Sequence, residues 1–252
     1  MKIQGLSGLG VVLAFPQAPK IWVLAVLTLT FAIFGRLVRG VTTGGAVAGA
    51  VVCFCLLLGA GLGGLAALVT VFALTWIATR IGYSRKQRLG TAEPRQGRSA
   101  AQVFANLGVA ALCALLYAFT LNDRGLLLAM MAALAEAAAD TVSSEIGQAI
   151  SGVPRLVTTW KTVPVGTDGA ITLGGTLAGI ASTITVGVIC YLAGSLGWRS
   201  ALVCAGAGLA GMLVDSLLGA TLERRKVMEN NGVNFLSTTV SAMMAFLAAR
   251  AV

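Results

Sequence analysis

Residues 135–147 read AEAAADTVSSEIG, and this stretch decides what kind of fold the chain can have. Glu136, Asp140 and Glu145 stand in a segment otherwise apolar enough to cross a bilayer. An acid at membrane depth costs about 2.5–3.5 kcal/mol on insertion scales, so three in one span need a use. Glu136 and Asp140 are four apart and share a helical face, which Ser143 and Gly147 continue. Glu145 falls about 140° away on a helix of ~3.6 residues per turn. Either it faces a different neighbour or the helix opens near Ser143–Ser144. Gly147 and Gly152 favour an opening, because the freed carbonyls of a helix end must find partners.

The surrounding chain supports the membrane reading. Of 252 residues, 57% are hydrophobic and 11% charged, with a mean hydropathy of +0.89. A soluble domain has about a quarter of its residues charged. Apolar runs of 18–24 residues alternate with short polar loops. The expected fold is an all-α, polytopic transmembrane bundle forming one membrane domain over residues 1–252. About eight spans are expected, within a range of six to nine, near 20–38, 41–59, 62–80, 100–121, 125–148, 173–194, 198–221 and 233–250. The first twenty residues, interrupted by Pro16 and Pro19, read as a short interfacial or half-inserted helix rather than a cleavable signal peptide.

The net charge of +9 is a topology signal here, not a nucleic-acid surface. If the loop 81–99 is cytoplasmic, thirteen of the eighteen lysines and arginines fall on that side, and both termini are outside. Lys2, Lys20, Arg124, Arg199 and Arg250 are the five on the other side. All five cysteines lie in apolar spans and the chain has no histidine, which argues against zinc. The same lack leaves carboxylates as the available general bases, and no Walker A loop, GxSxG or HExxH is present.

This topology gathers the unusual polar groups at one membrane face. Asp140 and Glu145 lie in the cytoplasmic half of their span, and Asp215 lies near the cytoplasmic end of another. Asn106 opens the span after the basic loop, and Asn231 and Asn234 open the last one. The loop itself carries Arg85, Lys86, Arg88, Glu93 and Arg98. It reads either as a basic loop resting on anionic lipid or as a phosphate clamp, since guanidinium forks match phosphate oxygens. Asp140, Glu145 and Asp215 are candidate magnesium ligands, because Mg²⁺ prefers oxygen and takes one or two carboxylates beside substrate phosphates and water. Their competing reading is helix-pairing with arginine. Gly174, Gly175 and Thr176 open a span and could receive an anion, and Lys161 adds a further positive charge. A GG-x-x-A-G pattern at Gly44–Gly49 returns at Gly174–Gly179, 130 positions on. It reads either as a parallel internal repeat or as ordinary small-residue packing.

The blocks KQRLGTAE (86–93), GR (97–98), QVFAN (102–106), ADTVSSE (139–145), VDSLLGAT (214–221) and NNGVN (230–234) resemble an integral membrane family that includes the phytyl-phosphate kinases of vitamin E synthesis. The resemblance covers most of the chain, from about Thr42 to the last span. It departs from the family at Val142, where members commonly carry an aromatic. It implies phosphoryl transfer from a nucleoside triphosphate, CTP first among them, to an isoprenyl monophosphate, with Mg²⁺ as cofactor. With that reaction, Asp140, Glu145 and Asp215 are the expected catalytic and metal-binding residues. Binding roles would fall to Arg85, Lys86, Arg88, Glu93, Arg98, Asn106, Lys161, Gly174, Gly175, Thr176, Ser216, Asn231 and Asn234. The alternatives are a lipid-phosphate cytidylyltransferase and, because Glu136 sits at mid-membrane, a small transporter.

Overall fold

The computed structural model describes residues 21–120, 123–150 and 152–251. The interfacial helix expected over the first twenty residues lies outside them. The architecture is the expected all-α bundle. Its helices are α1 (Ile21–Leu37), α2 (Thr43–Arg80), α3 (Tyr83–Leu89), α4 (Ala100–Phe119), α5 (Arg124–Ala149), α6 (Leu173–Leu192), α7 (Trp198–Leu218) and α8 (Asn230–Ala248). Among the described residues six helices are long and apolar enough to cross a bilayer: α2, α4, α5, α6, α7 and α8, with α1 shorter.

Two helices account for the difference from eight: α1, expected as a span, has only 17 residues, and α2 merges two expected spans. The 38 residues of α2 would run about 57 Å if straight, against a hydrocarbon core of ~30 Å. At Gly61 the backbone leaves helical geometry, with φ 57° and ψ −140°, a conformation open essentially to glycine. The chain doubles back there. Trp76 Nε1 and Arg80 both donate to the carbonyl of Val38, at 3.2 and 2.7 Å, so the end of α2 lies beside the residues that precede its start. The expected spans 41–59 and 62–80 are therefore the two limbs of one helical hairpin.

Helix α5, which carries the acids, is the central strut and packs against α2, α4, α6, α7 and α8. Its alanines let neighbours approach closely, as small residues do between membrane helices. A Cβ on Gly208 would come within 2.9 Å of Ala135, and one on Gly211 within 2.6 Å of the Glu136 side chain. The opening expected near Ser143–Ser144 does not occur: α5 runs unbroken to Ala149. Glu145 instead meets a different neighbour, the first of the two alternatives its angular offset allowed.

The connecting segments assemble at one end of the bundle. Residues 40–42 are stapled to the end of the basic loop by Thr42 N–H to Arg98 O (2.9 Å) and Arg98 N–H to Gly40 O (3.1 Å). Gly97 sits where a Cβ would meet the Gly40 carbonyl carbon at 2.4 Å. The 152–172 segment forms a small hairpin, β1 (Arg155–Leu156) antiparallel to β2 (Ala170–Ile171). Gly169, at φ 71°, presses against Ala220, where α7 passes into a π-helical turn, Gly219–Glu223. The α6–α7 turn lies at the other end, where Ser195 packs against Gly63 beside the α2 hairpin tip.

Candidate functional site

Two cavities open at the end where the connecting segments meet, on adjacent faces of α5. Their separation follows from helical periodicity. Glu136, Asp140, Ser143 and Gly147 fall on one face, and Ala137, Thr141 and Glu145 on the next.

The smaller cavity, about 170 Å³, is polar. Asp140 and Ser143 of α5 line it, with Gly175 and Thr176 of α6, Asp215 and Ser216 of α7, and Asn230 of α8. The carboxyl groups of Asp140 and Asp215 border the same cavity. Asp215 is held in place by α8. Ser237 Oγ donates to its Oδ2 at 3.0 Å, and the Asn234 amide nitrogen, in the orientation that satisfies its neighbours, donates at 3.2 Å. Glu136 is buried one turn deeper, with its Oε1 lacking a hydrogen-bond partner among the described residues. The roof includes Asp168 from the loop and Glu223, which the π-helical turn brings to the rim. The Thr172 hydroxyl caps α6 by accepting from Gly175 N–H at 3.1 Å. Thr42 does the same for Gly45 at 3.0 Å, so the two GG-x-x-A-G helices begin with the same local construction at the same end of the bundle.

The larger cavity, about 500 Å³, lies between α1, both limbs of α2, and α4. Its inner wall is apolar, with Phe31, Leu68, Phe72 and Leu107. Arg39, Arg80, Arg95 and Arg98 stand around its mouth. Arg98 is also within electrostatic reach of Asp140. A half-buried polar relay joins the two cavities. Gln102 Nε2 donates to Glu93 at 2.8 Å, Asn106 Nδ2 donates to the Gln102 carbonyl at 2.8 Å, and Asn106 in turn meets Asn234, which donates to Asp215.

The remaining expected residues are placed elsewhere. Glu145 and Lys86 form a buried ion pair. Lys86 is fully enclosed and also donates to the carbonyls of Ala78 (3.1 Å) and Thr79 (2.8 Å), while Thr79 Oγ1 donates to Glu145 at 3.0 Å. This triangle ties α3 to the end of α2 and to α5. Asp140, Glu145 and Asp215 are thus not gathered into one centre, and among the described residues no three acids are grouped so as to hold a metal ion. Arg85 donates to the Gln148 carbonyl at 3.2 Å, and Arg88 is exposed on α3. Lys161 is exposed in the 152–172 segment. Gly174 and Asn231 sit in first helical turns without lining either cavity. Sequence reasoning passed over Glu223, Asp168, Asn230 and Arg39 as site residues. Asp168 had a legible signal in the TDG turn before the α6 glycines, whereas Glu223 depends on a π turn that no helical periodicity marks.

The fold and these cavities define a class: a polytopic helical membrane protein with an acidic pocket and an arginine-rimmed apolar cavity at one face. The chain belongs to the family described as "Integral membrane protein DUF92", which matches residues 26–242. It is 36% identical over 204 residues to "Uncharacterized membrane protein MJ0933" of Methanocaldococcus jannaschii, covering 81% of this chain and 83% of that one. It is 32% identical over 196 residues to "Protein VTE6, chloroplastic" of Arabidopsis thaliana, covering 74% of this chain and 59% of that protein. It is also 31% identical over 232 residues to "Protein PGR" of the same plant, covering 72% and 80% respectively. No solved structure matches the chain.

Proposed function

We propose that the protein is a membrane-embedded kinase that transfers a phosphoryl group from a nucleoside triphosphate, CTP first among them, to an isoprenyl monophosphate such as phytyl phosphate. The observation that carries this reading is the joining of two unlike cavities at one face. One has acids and hydroxyls suited to a metal-bound polyphosphate, and the other has an apolar interior under arginines. The resemblance of the sequence blocks to phytyl-phosphate kinases supports it.

The donor set of the acidic pocket fits magnesium. Every side-chain donor there is oxygen, apart from the Met212 thioether and the amides of Gln148 and Asn230, and histidine and cysteine are absent. Two carboxylates suffice, since Mg²⁺ completes its shell with phosphates and water. Asp140 and Asp215 would hold it, and Glu145, committed to Lys86, would not. Bound there, the ion would supply neutralisation of the polyphosphate charge.

The acceptor is an oxygen of the dianionic monoester. It forms a bond to the γ-phosphorus as the bond from that phosphorus to the β-bridging oxygen breaks, and the electron pair leaves with the nucleoside diphosphate. No proton need be removed from a dianionic acceptor, so this reaction asks for charge neutralisation and alignment rather than a general base. Arg98, at the mouth of the larger cavity, would bear on the acceptor phosphate.

The test is to incubate the purified protein with farnesyl and phytyl monophosphate, each nucleoside triphosphate, and Mg²⁺. Prenyl diphosphate with stoichiometric nucleoside diphosphate is the expected result. Release of pyrophosphate would make the protein a cytidylyltransferase instead. Absence of any product, with liposome flux that survives Asp140→Asn and Asp215→Asn, would favour a transporter.

A further inference from the structure

We infer that the larger cavity is the seat of a single-chain isoprenoid phosphate monoester, its chain lodged between α1, α2 and α4 and its phosphate held under the arginine rim. The identity of the lipid rests on the kinase reading, whereas the site rests on geometry. The cavity's volume of about 500 Å³ falls in the ~300–1,000 Å³ range of small-molecule sites. Its chemistry is divided along the membrane normal as an amphiphile's is. Aromatic and aliphatic side chains line the depth, and four arginines stand with a single carboxylate, Glu93, at the level of the connecting segments. Glu93 already accepts from Gln102. Arg39 and Arg98 donate no side-chain hydrogen bond to another described residue, which leaves their guanidinium groups available for an anion.

A lipid also needs a way in from the bilayer. Among the described residues helix α1 leans chiefly on α2 and makes no comparable contact with α4, so packing between these described helices does not seal the cavity on its α1–α4 side. A chain can therefore enter sideways while its headgroup stays at the interface. The relay from Glu93 through Gln102, Asn106 and Asn234 to Asp215 then runs from the headgroup end of this cavity to the acidic pocket.

Gly49 offers a direct test. It lines the cavity, and a Cβ there would meet nothing within 4 Å, so a side chain at this position starts into open space on the cavity wall. Gly108 of α4 is equally unobstructed but lines neither cavity, and serves as the matched control. Trp76 lines the cavity and reports on it once Trp22, Trp160 and Trp198 are changed to phenylalanine in the full-length chain. Titration with farnesyl phosphate, farnesol and inorganic phosphate should give saturable quenching with farnesyl phosphate. Farnesol should bind at least tenfold more weakly, and inorganic phosphate should give no change. Gly49→Phe, with Ala46→Leu as a milder second filling of the same wall, and Arg98→Gln should each weaken farnesyl phosphate at least tenfold, while Gly108→Phe should not. Arg98→Lys should recover part of the loss.

Farnesol binding as tightly as farnesyl phosphate would overturn the arginine headgroup site. Parental affinity in folded Gly49→Phe and Ala46→Leu would overturn the chain site. The outcomes also separate this inference from the kinase reading. Cavity binding with the expected mutant pattern but no diphosphate would leave the site standing and remove the kinase. Diphosphate formation undiminished in Gly49→Phe would do the reverse.

Discussion

Lys86 is the largest side chain that the described residues bury completely, and it is charged. Such a group persists only where its charge and donors are answered, and here Glu145 and two carbonyls of α2 answer them. Removing one partner leaves the other charge stranded, at a cost of about 3–5 kcal/mol. Lys86→Met should therefore lower the melting temperature markedly, and Lys86→Met combined with Glu145→Leu should recover most of the loss, as read by thermal unfolding in detergent. A similar loss in the double variant would show that packing rather than charge was removed. Asp140 and Asp215 make the contrasting case. If they act together on one phosphoryl-transfer centre, Asp140→Asn and Asp215→Asn should each reduce turnover by more than a hundredfold, with the double variant little worse than either. The apparent magnesium requirement should rise in both single variants. Additive losses confined to melting temperature would instead assign the two acids to helix pairing.

The α2 hairpin depends on one residue conformation. Gly61 has φ 57° and ψ −140°, and a Cβ there would meet open space. The cost of Gly61→Ala is therefore backbone strain alone, about 1–3 kcal/mol. Gly108→Ala, helical and equally unobstructed, should be neutral or stabilising. Comparing the two melting temperatures checks this, and equal effects would mean the chain does not need glycine to reverse at Gly61. The break was legible in the sequence, where clustered glycines divide the apolar run near residues 59–64. So were the bundle and the convergence of Asp140, Asp215, Asn106 and Asn234. What could not be read were partnerships made by separate segments. Glu145 looked stranded on α5 because its partner, Lys86, lies 59 positions earlier on a short helix folded back from the basic loop. An opening of α5 was therefore inferred where a neighbour was the answer. The division of the acids between two faces followed from the 3.6-residue period, but which face would be acidic and which would border an apolar cavity depended on α6 and α2 packing there.

At the scale of the whole molecule, the asymmetry between the two ends makes orientation a question about function. The end bearing Arg85, Arg88, Arg95, Arg98, Lys161 and Arg224 holds both cavities, and the α6–α7 turn lies at the other. By the positive-inside rule we propose that the cavity end faces the cytoplasm, where nucleoside triphosphates are available. Thiol accessibility can decide this with little disturbance. Ser84 is exposed on α3, and Gly197 is exposed at the start of α7, where a Cβ meets nothing within 4 Å. The native cysteines should stay silent to a charged maleimide, because Cys53, Cys55, Cys190 and Cys204 are buried and Cys113 sits within the apolar α4, and reaction requires a thiolate in water. In intact expressing cells Gly197→Cys should label, and Ser84→Cys should label only after permeabilisation. The reverse pattern would put the acidic pocket on the side without nucleotide and would remove the kinase reading together with the orientation. Labelling of both in intact cells would mean the chain inserts in two orientations.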